Sequence, residues 1–121
     1  MTIFLYYLIL LPISLLPYPI LYLISDILYI LLFKIIGYRK QVVLINLKNS
    51  FPNKDNQELH SIMSNFYKHL CDLIMESIKG FTISESNLRK RLKIKNPELA
   101  NSFASKGQSI VFVGGHYNNW E

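Results

Sequence analysis

The chain has 121 residues, of which half are apolar and 17% are charged, and its formal net charge is +5. This length allows one small domain at most. The single cysteine, Cys71, cannot form an internal disulfide, so cysteine usage gives no sign of an oxidising compartment. Because Cys71 falls within a helical pattern, we interpret it as a packed thiol and not as a nucleophile.

The apolar residues are concentrated near the N-terminus, where residues 3–33 hold one charge, Asp26. This run exceeds the about 20 residues that a membrane-spanning helix needs. Prolines at positions 12, 17 and 19 interrupt it, which predicts helical pieces over roughly 3–15 and 18–36. A tilted, kinked span and a short re-entrant helical pair both satisfy this pattern. A cleaved signal peptide fits poorly because no basic residue precedes the run, and a buried soluble helix is the remaining alternative.

We therefore assign residues 1–36 to a membrane anchor and residues 37–121 to a second region. Basic residues follow the anchor but do not precede it, so the positive-inside rule predicts a cytoplasmic location for the second region. Asp26 is costly in lipid unless it faces a partner or the interface. The tyrosines are predicted to serve partly as interfacial anchors: Tyr6, Tyr7, Tyr18, Tyr22, Tyr29 and Tyr38.

Two basic segments lie beyond the anchor. "YRKQVVLINLKNSF" places Val42, Ile45 and Asn49 on one helical side, which suits a helix resting on anionic head groups. "NLRKRLKIK" could be a solvated face, a contact for lipid or an acidic protein, or a nucleic-acid contact. Because a membrane segment lies in the same chain, we predict no nucleic-acid partner.

The middle of the chain predicts a long amphipathic helix, with apolar residues spaced by three and four after Asp55. Asp55 followed by Glu58 indicates an N-terminal cap, and Gly80 indicates the end of the helix. His60 and His69 have no second ligand at a metal-binding spacing, so we interpret both as structural or solvent-facing.

The pattern changes after Gly80. "SESNLRKRL" predicts a short helix, "KIKN" a short strand, and "PELANSFASKG" a helix with Pro97 in its first turn and Gly107 at its end. "QSIVFVGG" predicts a buried strand. Strand, helix and strand in this order predict a parallel crossover and an α/β fold. His116 would then lie at the carboxyl end of a strand, where active sites gather in such sheets.

His116 and Glu121 are the candidate catalytic residues. Five positions apart on one helix they would point about 140° away from each other. They can meet if the chain turns at Gly114 and Gly115 and a helix begins near Asn118 or Asn119. A carboxylate on one imidazole nitrogen raises the basicity of the other nitrogen, which can then deprotonate a hydroxyl. The spacing alone also permits a structural role for both residues.

The segment "GGHYNNWE" resembles the motif of the lipid A biosynthesis (late lauroyl/myristoyl) acyltransferase family, within the lysophospholipid acyltransferase-like group. The mark of that group is a His, four residues, and an Asp or Glu. The ending Asn119-Trp120-Glu121 is the more specific part, and Asn118 departs from the Gly of many members. The upstream segments "YRKQVVLINLKNSFP" and "FYKHLCDLIMESIK" are also similar to the family.

The resemblance implies an O-acyltransferase at the cytoplasmic side of the inner membrane. His116 would be the general base and Glu121 would orient it. An acyl thioester, typically on acyl-carrier protein, would donate the chain to a lipid A precursor or related lipid, without a metal or redox cofactor. It also implies a glycerol-3-phosphate-acyltransferase-like α/β domain, of which residues 37–121 are the N-terminal part.

Family chains run more than twice as far, so we expect these 121 residues alone to be an inactive fragment. A membrane-anchored non-enzymatic interaction protein and an anchored hydrolase are the alternative functions.

Overall fold

Proline divides the apolar N-terminal run into two helical stretches in the computed structural model, which describes residues 2–115. The first stretch comprises helix α1 (Thr2–Leu5), a π-helical segment π1 (Tyr6–Leu10) and helix α2 (Leu11–Leu15). Leu16 is extended because the residue before a proline avoids the helical region. The second stretch comprises helix α3 (Tyr18–Tyr29) and a π-helical segment π2 (Ile30–Ile36). The predicted pieces over 3–15 and 18–36 are confirmed.

A tight connection follows π2 and leads into helix α4 (Lys40–Ser50). Gly37 caps π2 with a left-handed backbone (φ 66°), a conformation in which glycine has no steric cost. Arg39 is also left-handed (φ 51°), which is uncommon for a residue with a Cβ atom. The helix predicted for "YRKQVVLINLKNSF" is confirmed.

The long amphipathic helix is α5 (Asn56–Gly80), and its predicted start and end are confirmed. The Asp55 carboxylate accepts from the Glu58 amide at 2.8 Å, and the Glu58 carboxylate accepts from the Asp55 amide at 3.3 Å. The Lys54 ammonium and then the Asp55 amide, both donating to the Glu58 carboxylate, hold the pKa of Glu58 below its ordinary value. This reciprocal capping box satisfies donors that a helix start otherwise leaves unpaired.

The core lies along one side of α5. Its buried residues recur at every fourth position, which places them on one helical face, and they are Leu59, Met63, Tyr67, Cys71 and Met75. α3 packs along this helix, and α2 and α4 also contact it. Burial of one large apolar side chain stabilises the folded state by about 1.5–3 kcal/mol. Residues Met1–Thr82 therefore form a compact unit around α5.

The second compact unit, Ile83–Glu121, contains helix α6 (Glu85–Arg91) and helix α7 (Pro97–Ala104). Ser84 caps α6, and its hydroxyl accepts from the Asn87 amide at 3.4 Å. Pro97 starts α7, as the sequence predicts, and Gly107 beyond its end is left-handed (φ 69°). Both predicted helices are confirmed.

The predicted α/β fold is wrong for residues 2–115, which contain helices and loops but no strand. Residues 93–96 and 110–113, the two predicted strands, have no regular secondary structure. Val111 and Val113 are 86% and 93% exposed, so this apolar segment is not buried. Apolar β-branched composition favours a strand only where a neighbouring strand pairs with its backbone, and these two segments do not pair with each other.

Candidate functional site

The predicted catalytic residues, His116 and Glu121, lie outside the described residues. The chain that leads to them, residues 108–115, is irregular and exposed. Gly114 and Gly115 have no left-handed φ, and a Cβ atom added at either would meet nothing within 4 Å.

Exposed apolar side chains are concentrated on the two N-terminal helical stretches. We call this set of side chains the apolar face. Soluble monomers rarely expose a contiguous apolar patch above a few hundred Å², and larger patches mark membrane or protein contacts. Its exposed large side chains are Ile3, Phe4, Leu5, Tyr7, Leu8, Ile9, Leu15, Ile20, Leu23, Ile27, Ile30, Leu31, Ile35 and Ile36.

The opposite side of α3 is polar where it meets α5. The Tyr22 hydroxyl donates to the Glu76 carboxylate at 2.5 Å, and the Ser25 hydroxyl donates to Asp72 at 2.6 Å. The hydroxyls of Tyr29 and Ser64 are hydrogen-bonded at 2.8 Å. Together these three pairs form what we call the polar seam. Because buried polar groups need partners, the seam fixes which side of α3 faces α5.

Lys79 of α5 extends the seam at one end, and Lys68 lies within it. The Lys79 ammonium donates to the carbonyl oxygens of Ser14 and Leu16, at 2.8 and 3.0 Å. The Thr82 hydroxyl also donates to the Ser14 carbonyl, at 2.6 Å. These carbonyls lie where α2 ends, and helix ends leave carbonyls without an intrahelical partner. Lys68 lies 5.5 Å from the centroid of the Tyr29 ring.

The sequence analysis missed the seam, although a signal for it was present. Tyr18, Tyr22, Ser25 and Tyr29 recur at intervals of three and four residues within an otherwise apolar run. That spacing places them on one face of a helix. The sequence gives no means of finding their partners, which lie 35 to 54 residues away in the hydrogen-bonded pairs.

Asp26 is exposed and lies at the edge of the apolar face. At about 100° per residue, Ile20, Leu23 and Ile27 fall within about 60° of one another on α3. By the same geometry Asp26 lies about 60–120° from those three residues, on the side toward Tyr22. An ionised aspartate costs about 2.5–3.5 kcal/mol at the centre of a bilayer on insertion-based scales. Its position therefore restricts how α3 can enter a membrane.

Basic residues occur in π2 and in the chain segment that follows it. Lys34, Arg39 and Lys48 are exposed, and the Lys40 ammonium lies 4.0 Å from the centroid of the Phe33 ring. A groove of about 320 Å³ lies between α4 and α5, and its lining residues are Tyr38, Arg39, Val42, Val43, Asn46, Phe66, Tyr67 and Leu70. Val42 and Ile45 are exposed, as a helix on head groups requires, but lipid contact by α4 stays a prediction.

Cys71, His60 and His69 are the residues that the sequence analysis interprets as structural or solvent-facing. Cys71 is fully buried, and this burial, with a smaller effect of the Asp72 charge, raises the pKa of its thiol. His60 is exposed, and the buried Nε2 atom of His69 has no hydrogen-bond partner among the described residues. Residues 2–115 hold no group of three or more side chains that could bind a metal ion.

The family model of the bacterial lipid A biosynthesis acyltransferases matches residues 1–121. No curated protein and no solved structure matches the chain. The family match covers the apolar face, the polar seam and the His116–Glu121 segment.

Proposed function

Since the chain belongs to the bacterial lipid A biosynthesis acyltransferase family, we propose that it serves O-acyl transfer from an acyl thioester to a lipid A precursor or a related lipid. Acyl-carrier protein is the proposed carrier of the thioester, and the inner membrane is the proposed location. The observation that carries the proposal is the family match along the whole chain, from the apolar N-terminal stretch to the His116–Glu121 segment.

The proposed chemistry is a nucleophilic substitution at the thioester carbonyl. His116 accepts the proton of an acceptor hydroxyl while the hydroxyl oxygen forms a bond to the carbonyl carbon. The carbon–sulfur bond then breaks, and the proton on His116 passes to the departing thiolate. Glu121 orients the imidazole and stabilises its protonated form. The step consumes one acyl thioester and one hydroxyl and yields one ester and one thiol.

The exposed apolar surface supports the membrane part of the proposal. The acceptor lipid lies in a membrane, and the described residues carry exposed apolar side chains on the N-terminal stretches, with exposed basic residues at and after the end of these stretches in the chain. Lys34, Arg39 and Lys48 are suited to anionic head groups or to an acidic carrier protein. This arrangement favours an enzyme that meets its acceptor at the membrane surface.

The test is acyl transfer by the full-length gene product in lipid vesicles. Labelled acyl-carrier protein is supplied with a lipid A precursor, and the acylated lipid is quantified for the parent and for His116→Ala. We expect the variant to lose about 10²–10⁴-fold in rate, the usual contribution of a general base. Glu121→Gln should also be impaired, because an amide stabilises imidazolium less well than a carboxylate.

The matched control is His60→Ala, which removes an exposed histidine of α5 and should leave the rate within a few-fold of the parent. A folded His116→Ala protein with near-parent activity contradicts the catalytic role. Release of free fatty acid without acylated acceptor contradicts transfer and indicates the hydrolase. No thioester consumption by the parent indicates the non-enzymatic alternative.

A further inference from the structure

We propose that helix α6 and the basic segment after it form the docking surface for the acidic protein that carries the acyl thioester. Two leucines, Leu88 and Leu92, form the centre of this surface, and an arginine lies on either side of them. We call residues 85–95 the α6 surface. The inference rests on the proposed function, because it assigns the place at which the proposed donor, acyl-carrier protein, binds.

Positive charge is concentrated in this segment more than anywhere else in the chain. Five of the seven residues from Arg89 to Lys95 are basic, out of 13 lysines and arginines in all. All five are exposed, and the nearest acids in the sequence are Glu85 and Glu98. Exposed like charges at this density create a positive potential, which attracts an acidic partner and speeds its association.

The geometry of α6 places two of these cations beside an apolar centre. At about 100° per residue, Leu88 and the C-cap residue Leu92 lie about 40° apart around the helix. Arg89 lies about 80° to one side of the midpoint between the two leucines, and Arg91 lies about 80° to the other side. Lys90 lies about 180° from that midpoint. An apolar centre with a charged rim is the usual composition of a protein–protein interface, in which arginine is enriched.

The side chains of this surface are accessible to a partner. Leu88 and Leu92 are 46% and 60% exposed. The Nε and Nη2 atoms of Arg89 lie 2.9 and 2.8 Å from the Oε1 atom of Glu85, and solvent screens this exposed pair. A guanidinium has five N–H donors, so Arg89 keeps donors for a carboxylate of the partner while Glu85 orients it.

The size and composition of the α6 surface favour an acidic protein over a lipid membrane. α6 has seven residues and is about 10 Å long, and two leucines provide little of the apolar area on which the membrane binding of an amphipathic helix depends. A carrier protein must dock and leave in each catalytic cycle. Transient complexes of this kind use small interfaces and electrostatic attraction.

The position of α6 in the chain agrees with this role. α6 belongs to the second compact unit, Ile83–Glu121, and not to the unit that contains the apolar face. The same unit includes residues 108–115, from which the chain leads to His116. Docking on the α6 surface therefore brings the donor to the unit that includes the proposed catalytic segment.

The experiment compares two variants of the full-length gene product that remove the same amount of charge. Arg89→Gln/Arg91→Gln removes the two cations beside the leucines. The matched control, Lys90→Gln/Lys106→Gln, removes an exposed cation from the opposite side of α6 and another after α7. Acyl transfer in lipid vesicles is measured with two donors, acyl-carrier protein and acyl-pantetheine, which presents the same thioester without the protein. Fluorescence anisotropy of labelled carrier protein measures its binding separately.

We expect Arg89→Gln/Arg91→Gln to raise KM for the acylated carrier protein at least about tenfold, because arginines in interfaces are often hot spots. Its kcat with this donor, and its kinetics with acyl-pantetheine, should stay within about twofold of the parent. The control variant should match the parent with both donors. Arg89→Lys/Arg91→Lys, which keeps both charges, should bind the carrier more tightly than the glutamine variant.

An unchanged KM for the acylated carrier protein overturns the proposal, as does an equal increase in the control variant. An equal loss with acyl-pantetheine also overturns it, because the arginines would then act on the reaction and not on docking. Weaker binding to anionic vesicles with unchanged carrier binding assigns the surface to lipid. If circular dichroism shows that the glutamine variant is unfolded, carrier binding by the parent that is independent of salt overturns the proposal.

The binding measurement separates this inference from the proposed function. A parent protein that binds the carrier through Arg89 and Arg91 but transfers no acyl group from either donor contradicts the proposed function and leaves the docking surface intact. A parent that transfers from acyl-pantetheine but does not bind the carrier protein overturns the docking surface alone.

Discussion

Asp26 limits the membrane attachment more than any apolar residue near it, because an exposed carboxylate restricts where its helix can lie. The sequence predicted that Asp26 must face a partner or the interface. The structure exposes it at the edge of the apolar face, between Leu23 and Tyr22. The sequence alone shows that a charged residue in this apolar run is costly to place in lipid. The direction in which its side chain points is known only from the packing of α3 on α5.

The role of a tyrosine could not be determined from its residue type alone. Tyr22 and Tyr29 were predicted as interfacial anchors, but both hydroxyls are bonded to α5 within the polar seam. The Tyr67 hydroxyl donates to the Tyr38 carbonyl oxygen, and burial raises the pKa of Tyr67. An amphipathic ring suits either a membrane interface or a buried hydrogen bond, so the residue type did not distinguish the two.

Cys71 provides a test of the packing at the residue scale. We expect its alkylation by a maleimide in the native protein to be at least about tenfold slower than after denaturation, because the thiolate is the reactive species. Burial raises the pKa of this thiol above its ordinary value of 9.0. Its contribution to stability is therefore fully present below pH 9.0 and is lost as the pH rises through the folded pKa.

The measurement is the labelling rate by mass spectrometry, with the exposed position Asn65→Cys in a Cys71→Ala background as the matched control on the same helix. Equal native rates at the two positions would show that the core around Met63, Tyr67 and Cys71 is not packed as described.

At the scale of elements, helices were predictable and strands were not. Local signals determine a helix: proline breaks the N-terminal run, Asp55 and Glu58 start α5, and Ser84 starts α6. A strand depends on a partner that local sequence does not identify, and residues 110–113 are apolar yet unpaired. The π-helical segments, π1 and π2, also had no sequence signal that we recognised.

The polar seam is the contact between elements that a stability measurement can test. Asp72→Ala leaves the buried Ser25 hydroxyl without its acceptor, so we expect a loss of about 1–3 kcal/mol in the free energy of unfolding. The double variant Ser25→Ala/Asp72→Ala should lose less than the sum of the single losses, because the second change then removes no further hydrogen bond. Urea unfolding in detergent micelles, followed by circular dichroism, provides the free energy of unfolding of the parent, of each single variant and of the double variant.

Asn65→Ala is the control for this cycle, since Asn65 is an exposed residue on the same helix. It should change the free energy of unfolding by no more than about 0.5 kcal/mol. An Asp72→Ala variant as stable as Asn65→Ala would mean that the seam does not hold α3 against α5.

At the scale of the whole molecule, the sequence predicted the family and the apolar N-terminal stretch but not the arrangement around it. The family match confirms the resemblance that "GGHYNNWE" and the upstream segments indicated. The geometry of His116 and Glu121 lies outside the described residues, so their pairing stays a prediction. The division of Met1–Thr82 from Ile83–Glu121 was also not foreseen, because no flexible linker marks it in the sequence.

The central claim is that the apolar face holds this protein on a membrane, and fractionation of cell membranes tests it most directly. We predict that the chain stays in the membrane pellet in about 1 M salt, where electrostatic attraction is screened within about 3 Å, and that detergent releases it. Replacing Leu23 and Ile27 by serine should lower retention at least about tenfold, because each exposed apolar side chain would lose its burial in lipid. The same change at Leu92 and Ile94, exposed residues of the second unit, should leave retention unchanged. Recovery of the parent chain in the soluble fraction at low salt would contradict the claim, and release by high salt alone would assign the anchoring to the basic residues instead.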